Sequence, residues 1–119
     1  MAAIHVLEHF HEWEALGAVA EWRRILKPGG VMILELPCMD KVFGYIAGCV
    51  NRRESMAAFM TLHAIYGNPI PDQPAMQHKY GWFKSSMRAL LEAAGMREIR
   101  DCPPRYHFPF RDMRWECVK

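Results

Sequence analysis

Two short apolar runs near the start of the chain enclose a segment with helical spacing. Residues 3–7 and 31–36 are almost wholly apolar, which is typical of strands buried on both faces. Residues 12–27 carry apolar side chains on one helical face, and Pro28-Gly29-Gly30 ends this helix because proline lacks the amide hydrogen. A strand, a helix and a strand joined by so short a turn predict two parallel strands with a right-handed crossover. The apolar face of the predicted helix comprises Trp13, Leu16, Val19, Ala20 and Leu26, interrupted by Arg23.

The rest of the chain alternates helical spacing with turns. Two apolar groups at i, i+3, i+4 and i+7 predict helical segments on either side of a break at 51–53. The three prolines within residues 67–81 predict a long loop, and such loops are usually functional or mobile. A further helix is predicted to end at Gly95, with strands at 96–102 and 113–118. These predictions depend on Val42, Tyr45, Ile46, Cys49, Met56, Phe59, Met60 and His63, on Pro69, Pro71 and Pro74, and on Met87, Leu90, Leu91 and Ala94.

Together these elements predict one α/β domain over residues 1–119. We expect a mixed sheet of about four strands with helices on both faces, in which the first two strands are parallel and the last two form an antiparallel pair. The length is typical of a single domain. A content of 51% hydrophobic and 24% charged residues excludes a disordered or low-complexity chain.

Charge and cysteine usage narrow the class of protein. The formal net charge of +2 is too small to indicate nucleic-acid or anionic-membrane binding. The four cysteines lie far apart with no CxxC pair, so we predict packed thiols in a reducing compartment. No apolar run is long enough for a membrane span, and the first residues lack the features of a secretory signal. We therefore expect a cytoplasmic protein.

The most informative local sequence is HVLEHF at 5–10, followed by a helical segment and then by RRILKPGGVMILELP at 23–37. This combination of strand, Leu-Glu-His, helix, Leu-Lys-Pro-Gly-Gly and apolar strand resembles the second half of class I S-adenosylmethionine-dependent methyltransferases. The resemblance implies a Rossmann-like sheet of seven strands, of which residues 3–7 are the fourth and 31–36 the fifth. The helix at 84–94 and the strands at 96–102 and 113–118 are similar to the family's fifth helix and closing antiparallel pair.

The chain departs from this family at the cofactor site. The family holds S-adenosylmethionine in a glycine-rich turn after its first strand and binds the ribose through an acid after its second strand. The adjacent glycines here, Gly29-Gly30, follow a helix and precede a strand, which is the reverse of a nucleotide-binding turn. We therefore expect the C-terminal half of a methyltransferase, either a truncated polypeptide or a short natural protein beginning at Met1. It would be active only if a partner or a longer chain completed the site.

The resemblance also implies roles for residues near the end of the first strand. The family's fourth strand approaches the methionine part of the cofactor, which places Ile4 and His5 at that contact, mainly through their backbone. Glu8 and His9 follow at the sheet edge where α/β proteins bind ligands, and a carboxylate beside an imidazole can take a proton from a substrate hydroxyl or amine. Alternatively, these two residues anchor the start of the following helix, where an acid is favoured electrostatically.

The same edge carries residue types found in metal sites and in nucleophilic sites. His5, His9 and His11 together with acidic neighbours resemble a metal-ligand set, but they lack the i, i+4 geometry of a zinc motif, and we predict no metal site. Cys38 follows the second strand, but a thiol becomes a nucleophile only beside a base or a positive dipole. We therefore predict a packed cysteine.

Two aromatic and basic segments are candidates for contact with a methyl acceptor. His78, Lys79 and Tyr80 enter the last helix and resemble a substrate-facing segment of some family members; alternatively, Tyr80 helps to staple the loop to the core. Between the last two strands lie Arg105, Tyr106, His107 and Phe108, an aromatic and basic segment that suits a sugar or phosphate but is equally compatible with a packed turn.

The first strand also predicts a partner. A chain that begins with the fourth strand of such a sheet leaves that strand with an open edge, and proteins rarely leave such edges bare. We therefore expect a homodimer or a chain that supplies the missing half of the sheet. The alternatives to an enzyme are a non-catalytic small-molecule-binding module and a homodimeric interaction module derived from a methyltransferase.

Overall fold

The computed structural model describes residues 1–68 and 70–119, so Pro69 of the predicted loop lies outside the described residues. Within the described part of the chain, no helix has the length and apolar character needed to cross a lipid bilayer. The strands are β1 (Ala2–Ile4), β2 (Val31–Pro37), β3 (Arg97–Cys102) and β4 (Asp112–Val118), and the helices are α1 (Glu12–Ile25), α2 (Met39–Arg52), α3 (Leu62–Tyr66) and α4 (Lys84–Ala93). Short 3₁₀ turns span Leu7–His9, Ala58–Met60 and Pro74–Met76.

The four strands form one open mixed sheet in the order β1-β2-β4-β3. Strands β1 and β2 run parallel, with Ala3 opposite Leu34. Strand β4 is antiparallel to both β2 and β3. The α/β class, the parallel first pair and the antiparallel last pair are therefore confirmed.

The main core lies between one face of the sheet and helices α1 and α4. Alternate residues of β2 and β4 point to this face, as the period of a strand requires, and Val19 of α1 and Leu91 of α4 pack against them without solvent exposure. The opposite face carries the buried charges Glu35 and Arg114. Helices α1 and α4 cover one face of the sheet in this core, and the presence of helices on both faces stays a prediction. The strand residues of the core are Ala3, Met32, Leu34, Leu36, Met113, Trp115 and Cys117.

Strand β1 is shorter than predicted. It ends at Ile4 because His5 adopts a left-handed backbone conformation, with φ of 51°, and the chain then turns through Leu7–His9. The amide of His5 still donates to the carbonyl of Glu35 at 2.7 Å, which extends the ladder by one bond. The apolar run over 3–7 therefore belongs partly to a turn whose Leu7 and Glu8 point into the protein.

The buried face of α1 is rotated from the one predicted. Ala15 and Val19 are fully buried and Trp22 packs against the core. Trp13 instead remains 78% exposed and stacks on His11, with ring centroids 4.4 Å apart. The predicted face was chosen from large apolar side chains such as Trp13. The buried face is centred instead on the small residue Ala15.

A second, smaller cluster joins α2 to α3 through Met39, Val42 and Ala64. Helix α2 ends at Arg52, and Arg53 adopts a left-handed conformation with φ of 54°, which confirms the predicted break at 51–53. The predicted helical stripe from Met56 onward is a 3₁₀ turn followed by α3. The described residues of the predicted loop, 67–68 and 70–81, contain the 3₁₀ turn Pro74–Met76 and isolated β-bridges that join Gly67 to Gln77 and Ile70 to Gln73.

Candidate functional site

A pocket of about 380 Å³ lies at the carboxyl ends of the parallel strands β1 and β2. Strand β4, being antiparallel to β2, begins at this edge with Asp112. The pocket is lined by five of the six histidines of the chain. Open α/β sheets bind their ligands at this edge, so the pocket is the candidate functional site. Its lining residues are His5, His9, Phe59, His63, Gly67, Asn68, Met76, His78, His107, Phe108 and Arg111.

A buried ionic network forms the floor of this site. The carboxylate of Asp112 has no solvent exposure and accepts hydrogen bonds from Arg111 Nε at 2.6 Å and His5 Nε2 at 2.9 Å. Burial alone lowers the pKa of His5, but its contacts with Asp112 and Glu8 outweigh this effect and raise the pKa to about 9. Burial raises the pKa of Asp112, whereas His5 and Arg111 together hold it below the ordinary value. His5 is therefore an imidazolium at neutral pH, and it forms ion pairs with the carboxylates of Asp112 and Glu8.

Glu8 lies beside this network and is only 2% exposed. Its Oε1 is 2.9 Å from His5 Nδ1, which is an ion-pair contact, yet neither carboxylate oxygen accepts a well-aligned hydrogen bond from any described residue. Its side chain does not cap α1, since His11 is the N-cap residue and Glu14 accepts the hydrogen bond from its amide. Glu8 is thus a buried carboxylate that is ion-paired with His5 through Oε1 and has an Oε2 without a hydrogen-bond donor among the described residues, which is costly unless a ligand pairs with it.

His9 and His78 face the same pocket with defined ring orientations. Nδ1 of His9 donates to the carbonyl of Gln77 at 3.0 Å, and Nδ1 of His78 donates to the carbonyl of Ala64 at 3.0 Å. Because a carbonyl oxygen only accepts hydrogen bonds, each neutral ring carries its proton on Nδ1 and keeps a lone pair on Nε2. Burial lowers the pKa of His78, although Glu8 partly opposes this effect. Both rings can therefore bind a proton or a cation through Nε2.

Glu35 supports the pocket from the second strand. Its carboxylate is fully buried and accepts hydrogen bonds from the amides of Arg105, Tyr106 and His107 at 2.8–3.0 Å. Burial raises the pKa of Glu35, but these three donors and Arg114 outweigh it and hold the pKa below the ordinary value. The carboxylate thereby holds the segment that presents His107 to the pocket.

The other residues predicted from the sequence lie around the site rather than in its lining. Ile4 is half-buried in β1 opposite Glu35. Lys79 and Tyr80 donate their amides to the backbone carbonyl of Glu8, and the Tyr80 hydroxyl donates to Glu12 at 3.0 Å. Arg105 and Tyr106 are exposed and contribute backbone hydrogen bonds to Glu35. The structure therefore brings His5, Glu8, His9 and His78 together and places Ile4, Lys79, Tyr80, Arg105 and Tyr106 in supporting positions.

Sequence patterns missed several residues of the pocket. Asp112 and Arg111 precede the alternating run of β4 and belong to no sequence motif, whereas His107 and Phe108 lie in the predicted aromatic and basic segment and do line the pocket. The one available signal was the histidine content, since six histidines in 119 residues come mostly to one pocket. The missed lining and floor residues are Phe59, His63, Arg111 and Asp112.

Cys38 packs as predicted. It is fully buried at the start of α2, and its Sγ lies 3.7 Å from the carboxylate of Asp40. Burial raises the pKa of this thiol above the ordinary value, which favours the unreactive protonated form. All four cysteines of the chain are free thiols.

The two connections that lead from a strand into a helix at this edge of the sheet contain no glycine. Residues 5–11 join β1 to α1 and Cys38 alone joins β2 to α2, and neither connection contains glycine. Among the described residues, the glycines with positive φ, Gly29, Gly67 and Gly95, all follow helices. A strand-to-helix turn that lets a cofactor approach the backbone needs glycine at this point.

Comparison of the sequence with protein-family models and with curated proteins gives no match in either case.

Proposed function

We propose that this chain is the acceptor-facing part of a class I S-adenosylmethionine-dependent methyltransferase. It would act only when another chain or further polypeptide supplies the glycine-rich cofactor site. The main support for this proposal is the order of the strand pairs along the chain. The parallel pair β1 and β2 comes first, and the antiparallel pair β3 and β4 follows it. This is the arrangement that the resemblance of residues 5–10 and 23–37 implies.

The pocket supports an acceptor-facing role for His9. Its ring is held by Gln77, so Nε2 can take the proton of an acceptor hydroxyl or amine as that atom becomes nucleophilic. The resulting imidazolium is stabilised by Glu8, because ligating atoms of these residues lie within 4.8 Å of one another. His9 is the better candidate for the base, since it lines the pocket and Glu8 is buried beneath it. His78 and Arg111 border the space in which the acceptor would lie.

The donor side of this proposal involves Ile4 and His5. The backbone amide of His5 already donates a hydrogen bond to the carbonyl of Glu35. The methionine part of S-adenosylmethionine would therefore contact other backbone groups of the turn that follows β1. These residues make only a small part of a cofactor site. We therefore expect the chain alone to bind S-adenosylhomocysteine weakly, with a dissociation constant in the millimolar range.

Amide NMR spectra of the chain titrated with S-adenosylhomocysteine test this assignment. We expect shifts confined to Ile4, His5 and Val6, reproduced by methionine alone but not by adenosine. The matched control is Trp13, an exposed side chain on α1, whose indole signal should not move. Absence of shifts at Ile4 and His5, or shifts produced equally by adenosine, would contradict the assignment.

A non-catalytic small-molecule-binding module is the second candidate. The specific observation in its favour is that the pocket is built from this chain alone and does not require a cofactor site. It would be supported if acceptor-like molecules bound in this pocket while the chain showed no binding of S-adenosylhomocysteine. Either function is compatible with the cytoplasmic location that the free cysteines favour.

The outer edge of β1 is where we propose that a partner pairs. In the described chain β1 has a neighbour on one side only, namely β2. Its residues Ala2–Ile4 are small or apolar and carry no charge that would discourage pairing. A second copy of this chain or a chain with the missing strands would fit this edge, and translational diffusion in the same NMR samples distinguishes a monomer from a dimer.

A further inference from the structure

Glu8, His9 and His78 form a cluster of potential metal ligands in the pocket. One ligating atom of each residue lies within 4.8 Å of the others, and His78 Nε2 is 3.9 Å from Glu8 Oε1. Two ligands bound to one ion at about 2.0–2.2 Å each are separated by roughly 3–4 Å. Only a small contraction would therefore bring the three atoms to bonding distance.

The two imidazoles are already oriented as metal ligands. Their Nδ1–H groups donate to the carbonyls of Gln77 and Ala64, which leaves both Nε2 lone pairs available. Histidine ligands in metal sites nearly always donate the second ring N–H to a carbonyl, carboxylate or water, because this fixes the tautomer and the ring. His78 is held further by the adjacent amides of Lys79 and Tyr80, which donate to the Glu8 carbonyl at 2.8 and 3.3 Å.

The carboxylate of Glu8 supplies an independent reason to place a cation here. It is 2% exposed; its Oε1 is ion-paired with His5 Nδ1 at 2.9 Å, whereas its Oε2 accepts no hydrogen bond from the described residues. Buried polar atoms without partners are uncommon in folded proteins and costly. A cation bound between Glu8 and the two Nε2 atoms would satisfy this carboxylate.

We propose that Glu8, His9 and His78 bind one divalent first-row transition-metal ion, such as Zn²⁺, that leaves a coordination position open to the pocket. Two imidazole nitrogens and one carboxylate oxygen suit Zn²⁺, Co²⁺ or Fe²⁺ better than Mg²⁺ or Ca²⁺, which prefer oxygen ligands. Three protein ligands are typical of sites that keep a position for water or substrate. This proposal is independent of methyl transfer, and in the metal-bound form His9 is a ligand rather than a base.

The neighbouring group of His5, His107 and Asp112 also brings ligating atoms within 4.8 Å, but it is a poorer site. Arg111 already donates to Asp112 at 2.6 and 3.1 Å, and His5 occupies the same carboxylate. A divalent ion there would have to approach a permanently charged guanidinium. The metal proposal is therefore confined to Glu8, His9 and His78.

Calorimetric titration of the metal-free chain with Zn²⁺ tests the site without any assay of activity. We expect one ion per chain and a rise in the melting temperature, because a ligand that binds only the folded state stabilises it. His78→Gln and Glu8→Gln should each weaken binding by more than the roughly 10–100-fold that loss of a supporting residue costs. The matched control is His63→Gln, since His63 lines the same pocket but lies outside the cluster, and it should leave the affinity unchanged.

Cobalt and magnesium distinguish the class of ion. Co²⁺ should produce visible absorption bands of a four- or five-coordinate ion in the wild-type chain and in His63→Gln, but not in His78→Gln, with circular dichroism confirming that each variant is folded. Three results would overturn the proposal: no saturable binding of Zn²⁺ or Co²⁺, equal weakening by His63→Gln, or binding of Mg²⁺ in preference to Zn²⁺. Because no donor or acceptor molecule is present, failure here leaves the S-adenosylhomocysteine experiment unaffected.

Discussion

Replacement of Asp112 by alanine is expected to lower the free energy of unfolding by about 3–5 kcal/mol, the range for removal of one partner from a buried ion pair. Asp112 is fully buried, and the Arg111 guanidinium that it binds is itself only 7% exposed. Its carboxylate also accepts hydrogen bonds from His5 and from the amide of Phe108. The alanine variant leaves both cationic groups without this counter-charge at the floor of the pocket.

Urea unfolding at neutral pH measures this change as a shift of the midpoint. Asp101→Ala is the matched control, because Asp101 pairs with Lys84 at 2.5 Å at the surface, where both side chains are more than one third exposed. Its expected cost is about 0–1 kcal/mol. Equal losses for the two aspartates would show that the Asp112 network does not stabilise the fold as its burial indicates.

Glu35→Gln is expected to destabilise the chain by about 3 kcal/mol at neutral pH. The glutamine retains one acceptor oxygen but loses the charge that binds three backbone amides and faces Arg114 at 3.4 Å. Since the pKa of Glu35 is lowered in the folded chain, its stabilising contribution is fully present above the unfolded pKa of about 4.3 and is lost as the pH falls through the folded pKa. The difference between wild type and variant should therefore shrink as the pH falls below about 4.

Unfolding midpoints at a series of pH values check this expectation. Glu92→Gln is the control, because Glu92 is 58% exposed and its pair with Arg88 spans 3.6 Å, so its stability should differ from wild type by less than about 1 kcal/mol. A Glu35→Gln variant whose deficit stays constant from neutral to acid pH would contradict the lowered pKa.

The sheet was predictable from the sequence because its determinants are local. Strands β2 and β4 are runs of apolar or alternating residues, and Gly95, with φ of 77°, ends α4 where the pattern predicted. The prediction erred where side-chain contacts from distant residues decided the backbone. Strand β1 stops at Ile4 because His5 turns toward Glu8 and the distant Asp112.

The site was predictable only in part, for the same reason. The sequence indicated Glu8 and His9 because they follow a strand, and it indicated His78 as a separate acceptor contact. His78 lies 69 or more positions after Glu8 and His9, and no spacing rule in the sequence relates residues so far apart. Only the folded structure shows that these three residues share one pocket. The prediction of no metal site considered His5, His9 and His11 with their acidic neighbours Glu8 and Glu12, but not His78, whose ligating atom the fold brings within 4.8 Å of those of Glu8 and His9.

Long-range ¹H–¹⁵N spectra of the histidine side chains test the central claim most directly, which is that the end of β1 and the loop before α4 meet in one site with fixed imidazole orientations. In the metal-free chain we predict a proton on Nδ1 of His9 and of His78, and a doubly protonated His5 that titrates near pH 9. A proton on Nε2 of His9 or His78, or a His5 that is neutral at pH 7, would contradict it.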